Sequence, residues 1–447
     1  MPDPSLADAL RAADSPLEHL RHVRNPPHPF PRVPSERTNW IEEQRAWRET
    51  CSLADQSHHM TDLVVEGPDA GRVFADLGIN DVADFPVGRA KQFVACSPAG
   101  YLIGDGILFH LAADRYALVG EAPAPNWVQY HLETDDYDAT FSRDDHSGVR
   151  DGPPERFRYQ LQGPNALDVV DAVVDGPLPD VEFFGFAELE IDGRPANALR
   201  HGMAGEPGFE LWGDWTHGDA VRDALRAAGE GRGLRELGWK SYGTSGVMSG
   251  WLGNPLPAVY TGEALSAYRA WLSADSYEAR YLLGGSYRAD DVTDYYLRPH
   301  ALGYDRLLSF DHDFVGRDAL EAFDPAEARR KVTLVWHDED VVSAFGSLFS
   351  PGETAKHLRL PMPAWANQYD AVSRDGKGVG LSASPVYSYN ERTVASLGLL
   401  APEHAAPGTE VVVTWGEEDA DNIRVERHEE RPIRATVAPA PYTADNR

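Results

Sequence analysis

Cysteine and lysine are both scarce in this chain. Only Cys51 and Cys96 occur in 447 residues. That is too few for a disulfide scaffold and the wrong spacing for a zinc site, so a reducing cytoplasm is the expected setting. Lysine stands only at Lys91, Lys240, Lys331, Lys356 and Lys377. The 41 basic residues face 71 acidic ones, a net charge of −30. Such a surface repels nucleic-acid phosphates and excludes nucleic acid as a partner. Acidic surplus with little lysine suits a high-salt, halophilic cytoplasm, where salt screens self-repulsion. An acidic binding surface would also raise the count, but here the charge is spread along the chain rather than in blocks. A run of about 18 apolar residues is missing, which predicts no membrane-spanning helix. The polar, acidic start predicts no signal peptide. A phosphate-binding Gly-x-x-x-x-Gly-Lys loop and a dinucleotide fingerprint are absent too.

What is present is ample for a core: 42% hydrophobic residues, with 11 Trp and 18 Tyr. The length suits roughly two to four domains. Residues 1–24 read as two short helices split at Ser15-Pro16, and residues 39–52 as another helix. Between them runs Asn25-Pro26-Pro27-His28-Pro29-Phe30-Pro31. Prolines at that density forbid helix and sheet and predict an extended strap over the surface or along a cleft.

An internal echo follows. Val64-Val65-Glu66-Gly67-Pro68-Asp69-Ala70 leads into a helical pattern, and Tyr159-Gln160-Leu161-Gln162-Gly163-Pro164-Asn165-Ala166 does the same. Both read as strand, Gly-Pro, then helix, which predicts two related modules. In the first, Gln92–Cys96 and Gly100–Leu111 read as a hairpin or meander, with a turn at Gly104-Asp105-Gly106. Residues 126–134 read as a helix capped by Asn126. In the second, two strands flank Asp192-Gly193. From Lys331 onward short strands predict an all-β domain. The division expected is 1–150, 151–330 and 331–447.

One stretch concentrates polar chemistry: Asp55-Gln56-Ser57-His58-His59-Met60-Thr61-Asp62, placed just before an apolar strand. If extended, Gln56 and His58 share one side and Ser57 and His59 the other. A sharp bend would bring Gln56 and His59 together. This octapeptide, with Gly100–Leu111, Val259–Glu263, Ser309–Phe314 and Arg431–Tyr442, resembles the tetrahydrofolate-dependent O-demethylases of methoxylated aromatic acids, of vanillate and syringate type. They belong to the superfamily of the T-protein, the aminomethyltransferase of glycine cleavage. The resemblance implies an α+β fold, with two pseudo-repeated α/β modules of the T-protein folate-binding type and a C-terminal barrel-like β domain. It implies a methyltransferase with tetrahydrofolate as co-substrate.

The resemblance also assigns residues. Tyr242 falls at a catalytic tyrosine, with Gln56 and His59 orienting the substrate. Trp251 falls at a pocket tryptophan, and Phe183 or Phe184 would wall the pocket. Glu210, in Gly208-Phe209-Glu210, would hold the pterin edge, since a carboxylate can accept two parallel N–H bonds. Read on its own, Glu210 is an exposed strand residue. Asp105 is either a turn residue or a folate-site acid; Gly104 stands where the T-protein has a first Asp. The chain departs from the demethylase pattern at Glu121, where an Arg clamping a substrate carboxylate is implied, and at His28 and Phe30, where tyrosines are implied. Glu would repel a carboxylate. A neutral or cationic donor, such as a methoxyphenol or a methylated amine, therefore stays open.

Asp311-His312-Asp313 suggests a metal cluster, but contiguous residues on an extended segment diverge, so no metal is expected. Two rivals remain: a glycine-cleavage aminomethyltransferase with a lipoyl carrier protein as partner, and a folate-binding regulatory protein without turnover.

Overall fold

The computed structural model describes residues 3–203, 205–362, 367–417 and 424–442. Two short helices open it, α1 (Leu6–Arg11) and α2 (Pro16–Arg21). Ser5 and Ser15 accept hydrogen bonds from the N–H groups of Asp8 and Glu18, satisfying donors that a helix start leaves open. Next come α3 (Trp40–Glu49), capped by Asn39, and the strand β1 (Cys51–Asp55). The helical pattern expected over 39–52 therefore stops early. Cys51 and Ser52 leave it to pair in a sheet, where tertiary pairing outweighs local preference.

The first module contains β2 (Thr61–Glu66), α4 (Ala70–Leu77), β3 (Ala90–Cys96), β4 (Leu102–Ala112), β5 (Arg115–Gly120), α5 (Pro123–Thr134) and β6 (Thr140–Asp144). Its antiparallel sheet has the order β3-β4-β5-β2-β6. The second contains β7 (Arg156–Gln162), α6 (Ala166–Asp171), β8 (Phe186–Ile191), β9 (Arg194–Arg200), β10 (Gly208–Asp214), α7 (Gly218–Glu230) and β11 (Leu234–Glu236). Its sheet has the order β11-β1-β7-β10-β9-β8. The strand beside β7, where β6 lies beside β2 in the first sheet, is β1, which precedes both modules in sequence.

The echo is structural. Gly67 and Gly163 have φ 140° and 124°. Asp69 and Asn165, at the two helix starts, share φ near −96° and ψ 3°. A Cβ on Gly67 would lie 2.6 Å from the Asp138 carbonyl oxygen, and one on Gly163 2.8 Å from that of Thr50. Asp138 runs into β6 and Thr50 into β1, so each glycine lets the equivalent strand pass close.

Both faces of each sheet are covered, as period-two alternation allows. Leu63, Val65 and Leu118 point to the side of α4 and α5, with Phe74 and Trp127. Val64, Phe109 and Val119 point the other way, against Leu199 and Trp212 of the second sheet. The two sheets thus meet face to face, with α6 and α7 outside the second, over Leu161 and Leu211.

Two local expectations are corrected. Asn126 does not cap a helix: α5 starts at Pro123, whose missing N–H is no loss in a first turn. The Asn126 side chain instead donates to the buried carboxylate of Glu278 at 3.0 Å. Gly104-Asp105-Gly106 is not a turn but the middle of β4. A Cβ on Gly104 would lie 2.8 Å from the Ala124 nitrogen, so this glycine admits the start of α5.

After α8 (Trp239–Met248) and an irregular, tyrosine-rich stretch, a two-residue strand β12 (Leu283–Gly284) joins the third sheet. That sheet comprises β13 (Arg330–Trp336), β14 (Asn367–Arg374), β15 (Lys377–Ser388), β16 (Thr393–Leu400), β17 (Glu410–Trp415) and β18 (Arg431–Ala438). The ladder β14-β15-β16-β13-β18-β17 closes when β17 pairs back on β14. Closure removes the open edges, and Trp336 and Trp415, with ring centroids 5.6 Å apart, lie buried in this domain's core. The expected barrel-like domain is a closed barrel.

Candidate active site

Residues 55–61 carry the chain from the second sheet, at the end of β1, to the first, at the start of β2. A bend is required there. Ser57 N–H closes it on Asp55 Oδ1 at 3.0 Å, and the Gln56 N–H donates to the Arg158 carbonyl at 2.8 Å. The bend breaks the alternation of an extended chain. His58 turns away to Ser147, its Nδ1 3.0 Å from Oγ. Gln56 and His59 line one cavity of about 1230 Å³.

Tyr242, on α8, completes this cluster. Gln56 Nε2 donates to the Tyr242 hydroxyl oxygen at 2.9 Å and to Gln160 Oε1 at 3.2 Å. Burial pushes the Tyr242 phenol far above its ordinary range, against the opposing Gln56 hydrogen bond. The phenol is therefore a neutral O–H donor. Burial also lowers the His59 imidazole to about 3, so it is neutral. Gln56 Oε1 and His59 Nδ1 are buried without partners among the described residues. Phe30 closes the cluster from the proline strap, its ring centroid 5.2 Å from His59 and 5.6 Å from Tyr242. His28 stands edge-on to Trp239 at 5.4 Å. Both strap residues line the cavity.

Glu210 lies on β10 and is 3% exposed, so the exposed-strand reading does not hold. The Arg158 guanidinium donates to Glu210 Oε1, and to Asp62 Oδ2 at 3.1 Å. Arg158 thereby ties a carboxylate of the second sheet to one of the first, over the rings of Phe109 and Trp212. Burial opposes its charge and the two carboxylates restore it, leaving its pKa raised. Glu210 Oε2 has no partner among the described residues and Glu210 lines the cavity.

Asp105 Oδ2 accepts from Gln92 Nε2 and from the Tyr304 hydroxyl, each at 2.6 Å. Trp251 is also on the wall. Burial still raises the Asp105 pKa. Glu121, just past β5, is pushed up to about 8, first by burial and then by the Asp105 charge. Phe184 takes φ 60° and lines the cavity, whereas Phe183 is 64% exposed and does not. Both residues stand in a turn, where the positive φ of Phe184, not strand alternation, decides which ring reaches the cavity.

Sequence reasoning missed Arg158 and Asp62, Trp239, His146 and Arg143. Arg158 carried no distinct signal, since it alternates with Phe157, Tyr159 and Leu161 on the same polar side as Arg156, Gln160 and Gln162. Asp311-His312-Asp313 diverges: His312 Nε2 is 3.1 Å from the Gly78 carbonyl, while Asp313 holds Arg317 at 2.6 Å. The described residues contain no cluster fit for a metal ion, nor a helix long and apolar enough to cross a membrane.

A model of the GCVT N-terminal domain matches residues 12–247. The chain is 42% identical to a syringate O-demethylase of a Sphingobium species, over 98% of this chain and 96% of the relative. It is 27% identical to a sesamin methylene transferase of a Sinomonas species, over 92% and 90%. The crystal structure of the glycine cleavage system aminomethyltransferase T from Bartonella henselae superposes with a TM-score of 0.62. The match is at 18% identity over 92% of this chain and 91% of that one, a likeness of fold. A matched domain spanning more than half the sequence, and a relative aligned along nearly all of it, place the folded site in one lineage: the chain belongs to the glycine-cleavage T-protein (GCVT) family.

Proposed function

We propose that this protein transfers a methyl group from a methoxylated aromatic donor to tetrahydrofolate. The observation that carries the proposal is the Tyr242–Gln56–His59 cluster. It offers one O–H donor without an acceptor beside two unpartnered polar atoms. A ring bearing a hydroxyl next to its methoxy group suits that pattern. Gln56 Oε1 and His59 Nδ1 engage the hydroxyl, and Tyr242 meets the ether oxygen. As the methyl–oxygen bond breaks, Tyr242 passes its proton to the departing phenolate, and the proton that the methylated acceptor nitrogen sheds would restore the tyrosine, so that no buried charge is left behind.

Tetrahydrofolate supplies the nitrogen that takes the methyl group. The residues present fit it: Glu210, steadied by Arg158 at Oε1, lines the cavity and keeps Oε2 without a hydrogen bond from the described residues, an acceptor for the N–H groups of an amino-pyrimidinone edge. Holding donor and acceptor in line at roughly 3–3.5 Å supplies much of the rate. The activity named for the Sphingobium relative agrees with this reading. Small-molecule donor and tetrahydrofolate are then the partners, and no lipoyl carrier is required. The charge of −30 suits a salt-rich cytoplasm.

The test is mass spectrometry of folate products in high salt, with methoxylated acids, neutral methoxyphenols, methylated amines, and glycine with its lipoyl carrier. Methyl-tetrahydrofolate from a methoxyarene supports the proposal. Methylene-tetrahydrofolate formed only with the carrier replaces it by glycine cleavage, and folate binding without product replaces it by a non-catalytic role.

A further inference from the structure

The face of the second sheet that meets the cavity carries a row of polar side chains. Residues directly opposite on neighbouring strands point to the same side. Ala54 of β1, Gln160 of β7, Glu210 of β10 and Leu199 of β9 stand opposite one another in turn. His201 lies two residues past Leu199, just beyond β9, where its backbone N–H donates to the Gly208 carbonyl at 3.3 Å. It is thus a diagonal neighbour of Glu210, a separation of roughly 7–8 Å that long side chains can close.

Glycine at 208 gives the imidazole its reach. A Cβ there would lie 2.1 Å from the Leu161 carbonyl oxygen, so no side chain stands between His201 and β7. The ring crosses β10, and Gln160 Nε2 meets its Nδ1 at 3.4 Å. The loop that carries it is tied down by the Met203 N–H, which donates to Gln162 Oε1 at 3.0 Å. Phe184 stands edge-on to the ring at 5.3 Å and sets its plane.

These contacts decide which ring nitrogen carries the proton. Gln160 Oε1 accepts from Gln56, so the atom that Gln160 turns to His201 is its donor, Nε2. Nδ1 must then accept. Burial lowers the His201 pKa over the opposing Glu210 charge. The neutral ring keeps its single N–H at Nε2. That nitrogen has no partner among the described residues, and His201 lines the cavity.

The wall therefore presents two unlike groups as neighbours, a free carboxylate oxygen on Glu210 and a free N–H on His201. An amino-pyrimidinone ring carries the complement along one edge: N–H donors at its 2-amino group and N3, and an acceptor at its 4-carbonyl oxygen. From this geometry we infer that His201 is a second pterin-binding residue, whose Nε2–H donates to the 4-carbonyl oxygen of tetrahydrofolate while Glu210 takes the N–H groups. The inference deepens the reading above and rests on its placing of the pterin at Glu210. It makes the site a reader of the 4-oxo ring rather than of pteridines at large. A 4-amino ring would turn a donor toward Nε2–H, and two facing donors leave each other unpaired.

The test compares tetrahydrofolate with tetrahydroaminopterin, the same molecule with a 4-amino group in place of the 4-oxygen. Kd values are measured calorimetrically, under nitrogen and without a methyl donor, for the intact enzyme, His201→Leu and His201→Gln. The intact enzyme is expected to bind tetrahydrofolate about tenfold or more tightly than the analogue. His201→Leu weakens tetrahydrofolate by about tenfold, the size of one hydrogen bond, and spares the analogue. His201→Gln, which keeps an N–H, recovers part of the ratio. Thermal melts establish that the variants are folded. Equal weakening of both ligands by His201→Leu would mean a structural role only and overturns the inference. So does equal binding of the two ligands by the intact enzyme, a result that needs no variant. The reaction is tested apart from this. The expected ratios without methyl-tetrahydrofolate from any methoxyarene remove the reaction and leave His201 its role. Failure of tetrahydrofolate to bind overturns both.

Discussion

Gln56 Nε2 donates to the phenolic oxygen of Tyr242 at 2.9 Å. The same amide nitrogen donates to Gln160 Oε1. Both amide hydrogens are therefore engaged. The Tyr242 oxygen accepts within the protein, which leaves its own hydrogen for a ligand. Tyr242 is thus held as a donor rather than as a passive wall.

Tyr242→Phe removes that hydrogen and keeps the ring. We expect kcat to fall by about 10²–10⁴, the usual contribution of a general acid. Tetrahydrofolate affinity and the melting temperature should barely move. Single-turnover formation of methyl-tetrahydrofolate is the measurement, and undiminished turnover would remove Tyr242 from the chemistry.

Glu210→Gln leaves Arg158 with Asp62 alone. Tetrahydrofolate affinity should weaken by roughly tenfold or more, since hydrogen bonds to charged groups contribute about 1.5–3 kcal/mol. Stability should fall as well, by less than the ~3–5 kcal/mol of a fully broken buried pair, because Asp62 remains at 3.1 Å. Calorimetric binding and urea unfolding separate the two effects.

Gly104→Asp tests whether one residue blocks glycine-cleavage chemistry. Its Cβ would meet the Ala124 nitrogen at 2.8 Å and Pro123 Cβ at 3.1 Å. Overpacking of this kind costs about 1–3 kcal/mol. The variant should melt lower and gain no activity with a lipoyl carrier; a gain at unchanged stability would contradict the packing argument.

Glu121 gives stability a pH slope of defined sign. Its carboxyl is raised from 4.5 to about 8 on folding. Between those values the folded chain holds a proton that the unfolded chain has lost, so stability falls as pH rises through the window. Asp370, raised to about 7 by burial, adds a slope of the same sign. Urea midpoints at pH 5 and 8.5 should therefore differ less in Glu121→Gln than in the native chain. Identical differences would mean that Glu121 is solvated and ionised throughout.

Local signals were readable without the structure. The paired Gly-Pro turns announced both modules because φ above 100° at Gly67 and Gly163 leaves little choice of residue. The alternating strands of the barrel were equally plain. Non-local partnerships were not. Cys51 and Ser52 read as the tail of a helix because nothing nearby reveals a neighbour at 156–162. Gly104 and Gly106 imitated a turn, although Gly104 serves the packing of α5. In the cavity, Gln56, His59, Tyr242 and Glu210 were found through family resemblance. Arg158 escaped because its carboxylates stand 96 residues before it and 52 after. The choice between Phe183 and Phe184 hung on one backbone angle.

The placement of β1 has a consequence for the gene. An interior strand of the second sheet is encoded ahead of the first module, between α3 and the bend at Gln56. A break anywhere between codons 145 and 155 would part that strand from its neighbours on both sides. One fragment would carry a strand with no ladder, the other a ladder with a gap. Neither half is expected to be soluble alone, while both expressed together should complement. Recombination that shuffles one module without the other would be lost for the same reason, so the two are inherited as a unit.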